Sequence, residues 1–304
     1  MTTTALLGLW AQTSIHAGAG SSIDGIDLPI QREGHNGWPC VFGSSMKGAL
    51  RAKAEDLWGK NEGIRYVFGP DSDSDNASEH AGALMVSDAR LLLLPVRSLT
   101  GYFKWVTCPS LLKRLQNDAQ CFDVAIDDYV VPNVTKLESG LQPQAEGNLF
   151  LEEYRLTTTT HDLSNIITIL SRLSGIAEDD LTAQLVIVSD AMFTNLCQFA
   201  TPVTAHNVLD DAKKSVNLWY EETLPPETVF YLALKANAIR DPKVRDDKGE
   251  DIKEKFENKV IKNSKAGALL DSITDVLLAK PYLQIGGNET VGMGWCKVQI
   301  SKGA

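Results

Sequence analysis

The pattern of apolar and polar residues predicts strands interspersed with helices along most of the chain. Three apolar runs have the length and composition of buried strands: TALLGLWAQT (4–13), AQLVIVS (183–189) and ETVFYLALKA (227–236). Two further runs, PVTAHNVL (202–209) and NLWYEETL (217–224), flank the polar stretch DDAKKSV. They predict a protruding hairpin that returns to the core through the strand after it.

A helix is predicted directly after a long irregular segment, 14–43, that Gly and Pro interrupt. Loops of that length in a compact domain are usually functional or disordered. Ser44 or Ser45 is the expected N-cap, and the helix runs to about Gly59. Its apolar face contains Met46, Leu50, Ala54 and Leu57.

The remaining pattern adds shorter elements. Strand-like runs occupy 83–88, 91–97 and 102–107, and helices are predicted over 109–120 and 163–174, with Asp190 capping another short helix. Near the end, a helix over about 266–279 precedes the strand pair YLQIGG and GWCKVQIS, which a Gly-rich turn joins.

Mixed strands and helices without repeated parallel units favour an α+β fold, and a ferredoxin-like (RRM-related) core with large insertions fits the order. We expect a single domain over 1–304. The expected insertions are an acidic loop at about 60–82, a thumb hairpin at 198–227 and a charged loop at 240–265.

Composition describes an ordinary globular chain. Its 304 residues are 43% hydrophobic and 22% charged, and the absence of a basic leader or long apolar run predicts a cytoplasmic protein. The five cysteines lack CxxC pairing or nearby histidines, so we expect reduced, mostly buried thiols instead of a zinc site or disulfides. The net charge of −10 argues against general nucleic-acid affinity, although a local basic groove is sufficient to bind RNA.

Candidate chemistry concentrates in 16–51, HAGAGSSIDGIDLPIQREGHNGWPCVFGSSMKGALR. Its Gly-Ser entry into a helix exposes backbone N–H groups suited to phosphate, and Lys47 and Arg51 share one helix face. The spacing of a phosphate-binding P-loop, the dinucleotide fingerprint and the GxSxG nucleophile elbow are all absent. Nucleotide hydrolysis and serine chemistry are therefore disfavoured.

Several segments together resemble the RAMP-superfamily backbone subunits of Cmr-type (type III-B) CRISPR complexes. A first strand is followed by IHAGAG (15–20), IDLPIQRE (26–33) and GWPCVFGSSMKGALR (37–51), in the family's order and spacing. LWYEETLPPETVFYL (218–232) resembles the family's thumb, and LQIGGNETVGMGW (283–295) resembles its Gly-rich loop. These matches extend from the start of the chain to its end.

The resemblance implies copies stacked head to tail on a CRISPR RNA (crRNA), with thumbs that interrupt guide–target pairing at regular intervals. It implies that Asp27 cleaves complementary single-stranded target RNA there, and other subunits of the effector complex are expected partners. The first thumb strand departs from the family pattern, because VTAHNVL replaces an often arginine-rich sequence. Residues expected to bind RNA are His16, Arg32, Ser44, Ser45, Lys47, Arg51, Gly286, Gly287, Gly292 and Gly294, with His206, Asn207 and Trp219 on the thumb.

A carboxylate at Asp27 can hold a divalent metal, Mg²⁺ or Mn²⁺, or orient the 2′-OH of a splayed nucleotide. One carboxylate is a weak metal site, so RNA phosphates would complete the coordination. Asp24 either assists or is a solvated loop charge, and His16 has a structural role, contacts RNA or transfers a proton. Whether Trp219 or Tyr220 faces a base is left open. A non-catalytic crRNA-binding backbone subunit and a type III-A-like RAMP subunit are the alternative functions.

Overall fold

A computed structural model describes residues 2–21, 25–70, 81–239 and 265–304. Residues 71–80 of the expected acidic loop, residues 240–264 of the expected charged loop, and Asp24 lie outside the described residues. The first part of the expected acidic loop instead forms a helix, Glu62–Phe68. The described strands are β1 (Thr4–Ala11), β2 (Cys40–Val41), β3 (Leu84–Val86), β4 (Ala89–Arg97), β5 (Phe103–Thr107), β6 (Ser139–Gln142), β7 (Gly147–Leu151), β8 (Tyr154–Thr160), β9 (Leu185–Val188), β10 (Val203–Leu209), β11 (Ser215–Glu222), β12 (Val229–Ala236), β13 (Tyr282–Gln284) and β14 (Trp295–Lys302).

The helices are α1 (Gly43–Trp58), α2 (Glu62–Phe68), α3 (Pro109–Cys121), α4 (Ser164–Ser174), α5 (Glu178–Gln184), α6 (Asp190–Phe199) and α7 (Ala266–Asp271), which continues as a π-helical segment, Ser272–Leu277. None of these helices combines the length and apolar character needed to cross a membrane.

The central strands lie in the order β14-β1-β12-β4, and each is antiparallel to its neighbours. Along the chain, helix α1 lies between β1 and β4, and α7 lies between β12 and β14. Both helices bury their apolar sides against the same face of the sheet, which carries Leu7, Leu9 and Val298. This arrangement confirms the α+β prediction and is compatible with the predicted ferredoxin-like core.

The sheet is larger than the sequence pattern predicted. Beyond β4 it continues through β5, β9, β6, β8 and β7, and the pairs β5–β9 and β6–β8 are parallel. Helices α3 and α4 cover the opposite face of the sheet from α1, with Leu112, Leu170 and Ile187 in a second apolar cluster. The addition lies between β4 and the hairpin, so the expected insertions did not include it.

Two helix caps differ from expectation. Phe42 occupies the N-cap of α1 without a side-chain hydrogen bond, so neither Ser44 nor Ser45 caps the helix. The first N–H of α1, at Gly43, is instead bound by the Asp88 carboxylate at 2.6 Å. Ser189, one residue before the expected Asp190, caps α6 by accepting the N–H of Met192.

The face of α1 is otherwise as predicted, because Met46, Leu50 and Ala54 are buried. Leu57 is 56% exposed and does not join them, since the helix ends one residue later. The cysteines are free, and four of the five are buried. Burial raises the pKa of the Cys40 thiol to about 12, with Glu33 and Asp88 adding to the effect, so it serves as a packing residue.

Candidate functional site

The outer edge of β11, which faces away from β10, gathers the first candidate residues. The Tyr220 N–H donates to Oδ2 of Asp27 at 2.8 Å, and the Tyr220 carbonyl accepts the N–H of Leu28 at 3.1 Å. The Glu222 N–H then donates to the Leu28 carbonyl at 3.0 Å. The Glu222 carbonyl contacts Nδ1 of His16 at 2.8 Å. One strand edge therefore holds Asp27 and His16 side by side.

The contacts of His16 fix the chemistry of its ring. A carbonyl oxygen only accepts hydrogen bonds, so the Nδ1 atom that contacts Glu222 carries a proton. Nε2 is then the ring atom at which a proton can be gained or lost. Nε2 faces Gly18, where an added Cβ would lie only 2.9 Å away. His16 is only 9% exposed, and glycine at this position is what leaves room for its ring.

Asp27 has a carboxylate that is only partly engaged. Its side chain is exposed, and the Tyr220 N–H binds one of its two oxygens. Asp24 lies outside the described residues. Within the part of the chain that is described, no group of three or more His, Cys, Asp or Glu side chains is arranged to hold a metal ion. Asp27 thus offers a single carboxylate, and a divalent ion at this position would need its other ligands from outside the described residues.

Two buried glutamates at the base of the hairpin connect the surrounding loops. Glu221 and Glu222 are only 2% and 3% exposed. Oε1 of Glu221 accepts from Nδ2 of Asn288 at 2.5 Å and lies 3.3 Å from Nδ1 of His16. Its Oε2 lies 3.2 Å from Nε2 of His206. Glu221 therefore joins the loop after β1, the Gly-rich loop and both strands of the hairpin.

Glu222 likewise connects the segment that carries Asp27 to the base of the hairpin. Oε1 of Glu222 accepts from Arg32 at 2.5 Å and from Thr201 at 2.6 Å, and its Oε2 accepts from the Ile30 N–H at 3.1 Å. Arg32 also donates to the carbonyls of Gly37 and Cys197. The Arg32 guanidinium is thus bound within the protein and braces the loop, although the sequence suggested that it contacts RNA.

The expected thumb is the hairpin β10–β11. His206 and Trp219 face each other across the two strands with ring centroids 5.4 Å apart and an interplanar angle of 16°. Nε2 of His206 is buried and makes no hydrogen bond to any described residue, despite its proximity to Glu221. Asn207 accepts from the Ser215 hydroxyl at 2.6 Å, and Tyr220 remains exposed. Of the aromatic pair, Trp219 packs on His206, and Tyr220 is the accessible ring.

The Gly-rich loop lies against the loop after β1. The Gly287 N–H donates to the His16 carbonyl at 2.8 Å, and the Gly294 N–H donates to the Ser14 carbonyl at 2.8 Å. Gly286 has φ +80°, and an added Cβ would lie 2.3 Å from the same His16 carbonyl. Gly292 has φ +83° with open space around it. The loop thus needs glycine at Gly286 for close backbone contact and at Gly292 for conformation alone.

The start of α1 provides a polar groove. It is lined by Gly43, Ser44 and Lys47, with Gly69 and Gly82 opposite, and encloses about 540 Å³. Burial, followed by repulsion from Arg51, lowers the pKa of the Lys47 amine. Arg51 forms an ion pair with Glu55 at 2.8 Å and donates to the Gly69 carbonyl at 3.1 Å. Lys47 therefore faces the groove, whereas Arg51 is anchored at its side.

Ser45 supports the loop instead of facing the groove. Its hydroxyl accepts from Nε2 of Gln31 at 3.1 Å, and Oε1 of Gln31 accepts the Phe42 N–H at 2.6 Å. Gln31, Glu221 and Glu222 were missed as site residues by sequence reasoning. The sequence alone does not indicate that Glu221 and Glu222 are buried, because two adjacent glutamates on a strand read the same whether their side chains are buried or solvent-exposed.

The chain matches known proteins over nearly its whole length. The family model described as the RAMP superfamily matches residues 11–297. A protein of Pyrococcus furiosus named CRISPR system Cmr endoribonuclease Cmr4 is 31% identical, covering 98% of this chain and 95% of that one. A Saccharolobus solfataricus protein named CRISPR system CMR subunit Cmr4 is 23% identical over 93% of this chain and 92% of its own.

Solved structures agree on the fold. The crystal structure of oligomeric Cmr4 from Pyrococcus furiosus is similar with a TM-score of 0.71 and 27% identity, covering 100% of both chains. A chain in the cryo-EM structure of the Type III-B Cmr-beta complex bound to cognate target RNA is similar in fold, with a TM-score of 0.69, 21% identity, and 98% and 96% of the two chains covered. On its matched length and its fold, the chain belongs to the RAMP superfamily.

Proposed function

We propose that this chain is the repeating backbone subunit of a type III-B CRISPR effector complex, and that it cleaves complementary target RNA at Asp27. The similarity to the Pyrococcus furiosus endoribonuclease supports the activity. The observation that carries the site is the shared strand edge, on which Asp27 and His16 contact neighbouring carbonyl and amide groups of β11. A thumb that parts two RNA strands would therefore bring both side chains to the point of separation.

The chemistry proposed at Asp27 is attack by the 2′-OH of a splayed nucleotide on the adjacent 3′-phosphodiester. The 2′-oxygen loses its proton and bonds to phosphorus as the P–O5′ bond breaks, which leaves a 2′,3′-cyclic phosphate and a 5′-oxygen that takes up a proton to become a 5′-OH. A divalent ion, Mg²⁺ or Mn²⁺, held by Asp27 and RNA phosphate oxygens would supply charge neutralisation at the phosphate. Asp27 also orients the RNA, because its second oxygen is available while the first is held by Tyr220. This fixed placement is what an in-line attack requires.

His16 contributes a contact to RNA beside the reacting phosphate. Its Nδ1 proton is committed to the Glu222 carbonyl, which leaves Nε2 to face the bound strand past Gly18. Glu221 holds the same ring and the Gly-rich loop through Asn288. Because the carboxylate is buried, these contacts are worth more than they would be in solvent.

The remaining RNA contacts belong to the helix start and the Gly-rich loop. Ser44 and Lys47 line the groove beside α1. In the Gly-rich loop, Gly292 has open space around it where RNA backbone could approach, whereas Gly286 and Gly294 pack against the protein's own carbonyls. Neighbouring copies of the chain and other subunits of the complex would hold the crRNA along the same path. With a net charge of −10, such binding would depend on local contacts, and Lys47 is the cation among the residues that line the groove.

The experiment that tests this function is reconstitution. The chain is assembled with the other subunits of its complex and a crRNA, and an end-labelled complementary RNA is added. We expect a ladder of products at regular spacing that a scrambled target does not give. Binding of crRNA and target without any cleavage, while an activity control for the complex is intact, would favour the non-catalytic backbone subunit instead.

A further inference from the structure

A row of aromatic and basic side chains lies on the sheet beside the Gly-rich loop and takes no part in the site described above. Trp10 on β1 pairs with Lys297 on β14, which pairs in turn with Tyr282 on β13. All three side chains therefore lie on one face. Trp295, two residues before Lys297, is on the same face, and its ring meets that of Tyr282 edge to face at 6.1 Å. We call these four residues the aromatic row.

This face of the sheet is open at the row because α4 stops short of it. The Leu173 carbonyl, in the last turn of α4, lies so close to Gly8 that an added Cβ would be 1.6 Å away. Gly175, which follows the helix, packs against Gln299, the cross-strand partner of Gly8. The aromatic row begins at the next residue pair on this face, Trp10 and Lys297. Tyr282 and Trp295 are consequently 42% and 46% exposed.

Lysines surround the row. The Nζ atom of Lys297 lies 5.5 Å from the centre of the Trp10 ring, and that of Lys53 lies 5.3 Å from the centre of the Tyr282 ring. Burial, followed by repulsion from Lys280, lowers the pKa of Lys53. The nearby carboxylates are Glu227, which accepts the Trp10 indole N–H at 2.9 Å, and Glu289 in the Gly-rich loop, whose charge helps to raise the pKa of Tyr282 after burial.

Exposed rings among amines suit a nucleotide, which presents a flat base for stacking and a phosphate for the cation. In RNA-recognition motifs, a four-stranded antiparallel sheet stacks bases on aromatic side chains that project from its strands. The row occupies the corresponding face here, opposite α1 and α7. Trp295 directly follows Gly294, so the row also continues the path of the Gly-rich loop.

We propose that the aromatic row is a stacking site for an unpaired base of single-stranded RNA, separate from the Asp27 site. This inference rests on the proposed RNA binding and adds a contact that cleavage does not use. A second copy of the chain is the competing occupant. The Lys297 amine over the Trp10 ring and the continuity with the Gly-rich loop favour RNA, because a base together with its phosphate would contact both the exposed rings and this amine. The Lys53 amine, in contrast, is already bound by the carbonyls of Lys280 and Tyr282.

The test uses the assembled complex with 4-thiouridine placed at successive positions of the crRNA, or of the target in a second arm with Asp27→Ala to prevent cutting. After irradiation, crosslinked peptides are identified by mass spectrometry. We expect crosslinks to the peptides that contain Tyr282 and Trp295, and the arm that gives them identifies the strand. Absence of crosslinks to these peptides in both arms would overturn the proposal.

Binding measurements provide the second readout. Trp295→Ala should weaken binding of the RNA strand that the crosslinks identify about tenfold, the effect of removing one stacked base, and Trp295→Phe should retain most of the affinity. The slope of log affinity against log salt should be unchanged for Trp295→Ala and reduced by about one for Lys297→Gln, because only the lysine neutralises a phosphate. Tyr102→Ala removes a ring that is 77% exposed elsewhere on the chain and serves as the matched control.

Two results would contradict the RNA assignment. Affinity of Trp295→Ala equal to that of the control would exclude a stacked base. Weaker self-association of the RNA-free subunit in sedimentation, with normal crRNA affinity, would make the row a contact between copies. Neither result affects Asp27, which is tested by cleavage. Failure of the wild-type complex to bind crRNA at all would contradict the proposed function instead.

Discussion

His16 and Asp27 are bound two residues apart on the outer edge of β11. Nδ1 of His16 contacts the Glu222 carbonyl at 2.8 Å, and the Asp27 carboxylate accepts the Tyr220 N–H at 2.8 Å. Two residues along a strand rise about 7 Å, so both side chains are bound within a short stretch of β11. Because β11 is also a thumb strand, any movement of the thumb carries both side chains with it.

The Gly-rich loop can be tested through two glycines with the same backbone requirement. Gly286→Ala adds a Cβ 2.3 Å from the His16 carbonyl at φ +80°, whereas Gly292→Ala meets only open space at φ +83°. We expect Gly292→Ala to cost about 1 kcal/mol of strain and Gly286→Ala roughly 2–4 kcal/mol. Urea unfolding of the subunit measures both. Equal losses would mean that the contact with His16 has no importance beyond backbone strain.

Replacement of His16 separates anchoring from contact with RNA. In His16→Asn, the side-chain amide can still donate to the Glu222 carbonyl but has nothing at the position of Nε2. We expect stability near wild type and weaker RNA binding by about 1 kcal/mol, because one contact is lost. Filter binding and single-turnover cleavage measure the two effects. A rate loss on the order of 10²-fold at saturating RNA would instead assign proton transfer to His16.

Sequence reasoning found the elements whose apolar periodicity was strong and missed those without it. The strand β12, VFYLALKA, and the helix α4 were predicted because they bury continuous apolar surfaces. The strands β6 to β8 include SGLQ and YRLTTTT, which read as polar loops until neighbouring strands pair with them. Long-range pairing of that kind has no local signal, so β6, β7 and β8 were not predicted, whereas the apolar runs that form β5 and β9 were.

The candidate site, too, was only partly predictable from the sequence. Asp27 stands in a recognisable motif, but its partner Tyr220 is 193 residues away and the register of β11 decides which N–H it meets. The burial of Glu221 depends on three segments closing over it. Arg32 was assigned to RNA on its charge, and only the fold reveals its internal partner Glu222. Residue type therefore predicted the chemistry, and tertiary contacts decided which charges are available.

The groove beside α1 predicts different effects for its two cations. Lys47→Gln should lower the salt slope of crRNA binding by about one, because its amine faces the groove and neutralises a phosphate. Arg51→Gln should cost about 1 kcal/mol of stability through lost contacts with Glu55 and the Gly69 carbonyl. Salt-dependent binding and urea unfolding distinguish the two. An unchanged slope for Lys47→Gln would make it a solvated helix-face residue.

The isolated subunit should be a poor nuclease. Asp27 supplies a single carboxylate, and within the described residues no cluster of ligands is ready to hold a metal without RNA. Under the proposed function, the reacting geometry would arise only where guide and target pair across adjacent thumbs. We expect cleavage of unpaired RNA by the purified chain to be at least about 10²-fold slower than by the complex. Comparable rates in a gel assay would contradict this.

Two replacements of Asp27 test the proposed chemistry most directly. Asp27→Asn can still accept the Tyr220 N–H through its amide oxygen, so it removes the charge while keeping the contact, whereas Asp27→Ala removes both. Assembly and target binding should persist in each, and cleavage at the regular sites should fall on the order of 10²-fold or more. Asp24→Asn is the matched control and should cost less.

The metal and the products complete that test. Wild-type cleavage should require Mg²⁺ or Mn²⁺. Chelation should reproduce the Asp27→Asn phenotype, because the neutral amide of Asn is a poorer ligand for a hard cation than a carboxylate. Products should carry a 5′-OH and a 2′,3′-cyclic or 3′-phosphate if the 2′-OH attacks. Full cleavage in the presence of chelator, combined with loss of cleavage in Asp27→Asn, would show that the reaction needs the carboxylate but not a metal ion. A full ladder at wild-type rate from Asp27→Ala would remove Asp27 from the reaction.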